Sequence, residues 1–113
     1  MSYLGKRKTY IETGVIAARP ISEIMYDGYK RNANKRKIEF NIDYQTFISF
    51  WRLPCYFCGS EIETIGIDRM NRCEGYQIKN IVSCCTRCSL TKRKMNGNEY
   101  IEHCKKVAEL CQR

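Results

Sequence analysis

A chain of 113 residues can build one modest hydrophobic core but not two, so a single domain reinforced by a metal is the economical expectation. Its formal charge of +8 and pI near 9.2 suit an anionic partner, and nucleic acid is the expected polyanion. No apolar run approaches the roughly 20 residues that span a bilayer, which excludes a membrane-crossing helix as the organising element.

The charge is uneven. Residues 1–37 carry nine Lys and Arg against three acids, net +6, while the remainder carries eleven against nine, net +2. Residues 1–20 mix Lys6, Arg7, Lys8 and Arg19 with the apolar run Val15 to Ala18 and end at Pro20, which reads as a basic arm. The start Met-Ser-Tyr-Leu-Gly-Lys-Arg-Lys lacks the apolar segment of a signal peptide. Free thiols in a reducing cytoplasm, including a host cytoplasm if the protein is viral, are therefore expected rather than disulfides.

Residues 21–113 read as one domain. Ile24, Met25 and Tyr29 repeat at helical spacing and predict a helix from Ile21 to about Lys35, whose basic end, Lys30, Arg31, Lys35, Arg36 and Lys37, is placed for phosphate contact. Ile38-Glu39-Phe40 has the alternation of a short extended piece. Asp43 is the expected N-cap of a second helix, with Phe47, Ile48, Phe50, Trp51 and Leu53 as a broad apolar face before Pro54 stops it. These aromatics are read as core.

Without a linker there follow Cys55-Tyr56-Phe57-Cys58-Gly59 and, after residues 59–84, Cys85-Thr86-Arg87-Cys88. Two Cys-x-x-Cys pairs offer four thiolates in the tetrahedral set that structural zinc favours. Of the adjacent Cys84 and Cys85, only Cys85 gives the two-residue gap to Cys88. Cys73, Cys84, Cys104 and Cys111 are then read as small hydrophobes.

The spacer between the pairs should fold back on itself. Ile62, Thr64, Ile65 and Ile67 predict a strand ending at Asp68-Arg69, and Met70 to Gly75 a polar turn. Ile78 to Ser83 then form a second strand that delivers Cys85 and Cys88. Leu90 to Met95 predict a short helix carrying Lys92, Arg93 and Lys94. Asn98 is the expected cap of a final helix with Tyr100, Ile101, Cys104, Val107, Ala108 and Cys111 at core spacing. The fold class is α+β: a small zinc-stabilised ββα finger flanked by N-terminal and C-terminal helices.

In this order, the basic helix, the aromatic helix, Cys-Tyr-Phe-Cys-Gly, Gly66-Ile67-Asp68-Arg69, Gly75-Tyr76, Asn80-Ile81-Val82, Cys85-Thr86-Arg87-Cys88 and Lys92 resemble the zinc-containing HNH endonucleases. The similarity is to compact phage and bacterial members in which Asp-Arg replaces Asp-His. The resemblance implies metal-dependent hydrolysis of phosphodiesters in double-stranded DNA, with Asp68 and Ser89 as ligands of a magnesium or manganese ion and Asn80 holding the finger's loop. It also implies two departures. Arg69 stands where the family has its general base, and a guanidinium keeps its proton, so it could only clamp phosphate or stabilise charge. Ser89 stands where the family has Asn or His as second ligand. Lys92 and Lys94 are expected on the DNA backbone. The alternative implied by these departures is an inactive, nuclease-derived zinc protein that binds nucleic acid or a protein partner, such as a viral counter-defence factor.

Overall fold

The computed structural model describes residues 19–112. The basic arm read from residues 1–20 therefore lies outside the described residues except for Arg19 and Pro20. Helix α1 (Ile21–Lys35) starts on Pro20, whose carbonyl accepts from Glu23 N at 2.9 Å, with Glu23 in the first turn and Lys35 in the last, the polarity that suits the helix dipole. Arg19 bonds the carboxylates of Glu23 and Asp27 on the exposed side of this helix.

Helix α2 (Tyr44–Ile48) is capped as expected. Asp43 Oδ1 accepts from Thr46 N at 2.8 Å, and these hydrogen bonds hold the carboxyl below its usual range. The helix is shorter than its apolar pattern. Turns carry the chain from Ser49 onwards, and Arg52 adopts φ 61° while its N–H donates to Thr64 O at 2.6 Å. Phe47 is fully buried at the centre of the core, edge-on to Tyr26 and Tyr29 with ring centroids 5.2 and 5.6 Å away. Phe50 and Trp51 pack against the same core, whereas Leu53 is 42% exposed.

The hairpin is compact. Strand β1 (Ile67–Arg69) pairs antiparallel with β2 (Ile81–Ser83), in the register Ile67↔Ser83, Asp68↔Val82 and Arg69↔Ile81. Residues 62–66 are not part of β1, although Cys84 N donates to Gly66 O at 2.9 Å one step further along the same register, at a close crossing of the two backbones. A Cβ on Gly66 would overlap the Cys84 carbonyl oxygen, so this crossing requires glycine. A 3-10 turn (Ile78–Asn80) occupies the first half of the predicted second strand. Phe40 bridges Tyr76 in parallel, with Tyr76 N donating to Glu39 O and Asn41 N to Tyr76 O, both at 2.8 Å, which ties the extended piece after α1 to the hairpin.

Helix α3 (Thr86–Lys92) begins four residues before the predicted Leu90, because the second cysteine pair itself starts it. Cys85 is the N-cap and its sulfur accepts from Cys88 N at 3.4 Å. Helix α4 (Gly97–Cys111) is capped by Asn96, not Asn98: Glu99 Oε1 accepts from Asn96 N at 2.9 Å in a capping box. Asn96 Oδ1 accepts from Arg72 N at 2.8 Å, so the cap also docks the helix on the hairpin loop.

Beyond Ile101 the residues of α4 are exposed, Cys104, Val107 and Cys111 among them. The apolar spacing of this helix does not therefore mark a core face within the described chain. Cys73 is exposed as well, and of the four cysteines read as small hydrophobes only Cys84 is buried.

Candidate metal centre and active-site cleft

The two cysteine pairs converge. The sulfurs of Cys55, Cys58, Cys85 and Cys88 all lie within 4.8 Å of one another, with Cys58 and Cys85 at 3.7 Å. A tetrahedral zinc with roughly 2.3 Å bonds to sulfur sets its ligands roughly 3.8 Å apart, so the four side chains fit the ion. Cys84 is excluded: its thiol points to Cys85 O at 3.5 Å, and burial raises its pKa well above the ordinary thiol range.

The backbone prepares the site. Gly59 adopts φ 77° and its N–H donates to Cys55 O at 2.9 Å, closing the first knuckle. Hydrogen bonds from Ser60 lower the Cys58 thiol to about 6, whereas burial raises Cys88 to about 12. Phe57 and Tyr100 stack edge-on at 5.2 Å beside the cluster and attach the start of α4 to it. The four cysteines constitute a site suited to structural zinc.

The hairpin loop is held by one buried amide. Asn80 Oδ1 accepts from Asn71 N at 2.9 Å, and Nδ2 donates to Asn71 O and Gly75 O at 3.0 Å each. Arg69 works beside it. Its side chain is buried, Nη1 donates to Arg72 O and Glu74 O at 2.9 Å each, and the guanidinium lies 5.5 Å from the centre of the Tyr76 ring. Through Nη1 the guanidinium braces the loop, while Arg69 also lines the cleft that Asp68 faces.

Asp68 precedes Arg69 on β1 and borders the same cleft. Its Oδ1 accepts from Arg69 N at 2.8 Å, and its Oδ2 lies 3.1 Å from Lys92 Nζ. Lys92 is 1% exposed and also donates to Arg69 O at 3.4 Å. The expectation of Lys92 on the DNA backbone is thereby corrected: its ammonium is spent on a buried ion pair joining α3 to β1. The buried end of a helix bearing three consecutive cations could not be told from sequence.

Asp68 opens onto a polar cleft of about 260 Å³ lined also by Ser89 and by Arg36, Arg72 and Arg93, with Tyr29, Asn32 and Tyr76 on its walls. Tyr29 anchors the wall by accepting Ile67 N at 3.0 Å, and burial raises its pKa. Ser89 and Asp68 thus share one cavity. Of the basic residues predicted on DNA, only Arg36 reaches it. Lys30, Arg31, Lys35 and Lys37 are exposed outside the cleft's lining, with Arg31 and Lys35 on a separate groove of α1, and Lys94 is exposed nearby, its carbonyl accepting Arg72 Nη1 at 3.4 Å. Sequence reasoning did not single out Arg72 or Arg93, since in a chain with 20 Lys and Arg charge alone ranks none of them. His103 lies exposed on α4, away from this lining.

No protein-family model matches the chain. An uncharacterized protein of Acanthamoeba polyphaga mimivirus is 33% identical over 86 residues, covering 74% of this chain but only 16% of that much longer protein. A solved structure of the rare-cutting HNH restriction endonuclease PacI superposes with a TM-score of 0.64 at 18% identity, over 85% of this chain and 84% of that one. At that identity the likeness is one of fold. With the ββα hairpin in place, the chain has the HNH fold, carrying a four-cysteine centre suited to a structural zinc.

Proposed function

We propose that the chain is an HNH-type, metal-dependent DNA endonuclease with a substituted active site, hydrolysing phosphodiesters of double-stranded DNA at the Asp68 cleft. The observation that carries this reading is the convergence of a carboxylate, a hydroxyl and several guanidiniums from four segments of the chain on one polar cavity. The likeness to a DNA-cutting HNH enzyme supports DNA as the substrate.

Asp68 and Ser89 are hard oxygen donors facing the same space, the donor type that magnesium or manganese takes, and they would hold the ion. Such an ion supplies positive charge against the scissile phosphate and a water of lowered pKa. The chain's own residues do the rest. Lys92 fixes the rotamer of Asp68 from below. Asn80 and Arg69 keep the loop that carries Arg72 in place. None of the cleft's arginines can accept a proton, so no side chain of the family's general-base position serves here.

The Asp68–Lys92 pair favours a second reading. A carboxylate already neutralised by a buried ammonium, next to a weak hydroxyl ligand, is the arrangement of a nuclease-derived binding module that has stopped cutting. In that case the same basic surface would hold DNA without hydrolysing it, or dock on a partner protein as a viral counter-defence factor would. Plasmid nicking and gel-shift assays on the same DNA separate the two: cleavage supports the first, and salt-sensitive binding without cleavage in magnesium or manganese supports the second.

A further inference from the structure

Among the described residues, three cleft arginines have no carboxylate partner. Asp68 is the one acidic residue among the described residues that line the cavity, and its carboxylate is paired with Lys92. Arg36, Arg72 and Arg93 form no salt bridge to any described carboxylate, and Arg69 adds a fourth guanidinium to the same walls. Like charges gathered around a small cavity repel one another and are stabilised when an anion enters.

The three come from separate places: Arg36 from the C-cap of α1, Arg72 from the hairpin loop and Arg93 from the C-cap of α3. Arg72 is held in position at both its backbone and its guanidinium, by Asn96 Oδ1 and by Lys94 O. Arg93 sits at φ 46° and ψ −113°, a backbone conformation that glycine adopts readily and other residues rarely. A side chain at this position costs backbone strain that glycine would avoid, and here that side chain lines an electropositive cavity.

We propose that Arg36, Arg72 and Arg93 form a preformed clamp for one backbone phosphate of DNA, the guanidiniums gripping its non-bridging oxygens beside Asp68. This rests on the reading of the chain as a DNA-acting domain, but it does not require cleavage. Arg69, braced against the loop through Nη1, borders the same cavity.

The test is duplex DNA binding across a salt series by wild type, Arg36→Gln, Arg72→Gln, Arg93→Gln and Arg93→Gly. Arg87→Gln serves as control, since Arg87 is exposed on α3 outside the cleft. Each cleft variant should bind several-fold more weakly and lower the slope of log affinity against log salt by about one, the signature of one lost phosphate contact. Arg93→Gly should do so while folding at least as stably as wild type, which a structural role for the side chain would not produce. Cleft variants that match Arg87→Gln would overturn the clamp and leave the DNA reading standing. Wild type that fails to bind DNA at all would overturn both.

Discussion

Lys92 Nζ lies 3.1 Å from Asp68 Oδ2, with the lysine side chain 1% exposed and the carboxylate 24% exposed. One ion pair therefore joins the last turn of α3 to the middle of β1 and fixes the carboxylate that the proposed chemistry uses. A buried ammonium stripped of its partner is costly, so the two residues are mutually dependent.

Removing the ammonium should be felt in stability first. Lys92→Ala leaves Asp68 half-desolvated and empties a buried site, and is expected to cost about 3 kcal/mol, the lower end of the range for breaking a buried pair because the carboxylate retains some water. Urea denaturation of the zinc-loaded protein measures it. A loss below about 1 kcal/mol would mean that the pair is not a structural tie.

Asn80→Ala deletes three hydrogen bonds at once from a buried amide. The orphaned Asn71 N–H and the Asn71 and Gly75 carbonyls put the expected cost at about 2 to 4 kcal/mol. Asn80→Asp keeps an acceptor for Asn71 N but sets a buried carboxylate oxygen against the two carbonyls, and at neutral pH should cost at least as much as Asn80→Ala. Equal stability of both variants and wild type would show that the loop is held elsewhere.

Zinc release should open the finger. Chelation is expected to loosen the hairpin and α3 together, seen as loss of helical circular dichroism, because the four sulfurs are the common anchor of the first knuckle, the end of β2 and the start of α3. Reloading zinc at neutral pH should release protons. Cys58, at about 6, is already largely thiolate there, whereas Cys88, at about 12, still holds its proton and must lose it to bind. The sign follows: zinc affinity falls as pH falls, since protons compete for the sulfurs. Calorimetry in two buffers of different ionisation enthalpy reads the proton release, and identical heats in both would refute it.

The close crossing at Gly66 offers a steric test. Gly66→Ala drives a methyl into the Cys84 carbonyl, which belongs to backbone and cannot swing aside. The expected result is a loss of about 3 kcal/mol or failure to fold, together with weakened zinc retention, because Cys85 follows directly. Unaltered melting and zinc content would show that the crossing can relax.

Much of this was legible in the sequence where chemistry fixes spacing. The Cys-x-x-Cys pairs named all four zinc ligands and separated Cys85 from Cys84, since only one sulfur of that pair can reach the tetrahedron. The helical spacing of Met25 and Tyr29 gave α1 its bounds, and Asp43 gave the start of α2. Element ends were misplaced where tertiary contacts decide them. Asn96 outcompetes Asn98 because it meets both Glu99 and the Arg72 backbone, and α2 gives way after Ile48 to i→i−3 turns (Phe50 N to Phe47 O, Trp51 N to Ile48 O) although its apolar pattern continues. Lys92 shows the limit most clearly. Its burial depends on Asp68, 24 residues away in the chain, and a cation in the run Lys92-Arg93-Lys94 carries no mark of facing inward. The apolar stripe of α4 misled for the converse reason, since periodicity reports an amphipathic helix without saying what covers it.

The central claim is hydrolysis at the Asp68 cleft, and the direct measurement is nicking of supercoiled plasmid by zinc-loaded protein with magnesium or manganese. Wild type is compared with Asp68→Asn, whose single amide oxygen can replace Oδ1 toward Arg69 N but leaves Lys92 facing an NH2 group, and with Asp68→Ala. Nicking by wild type that falls at least a hundredfold in both variants, with DNA binding retained, is the predicted result. Equal nicking by all three, or none by a wild type that binds the same plasmid, would contradict it.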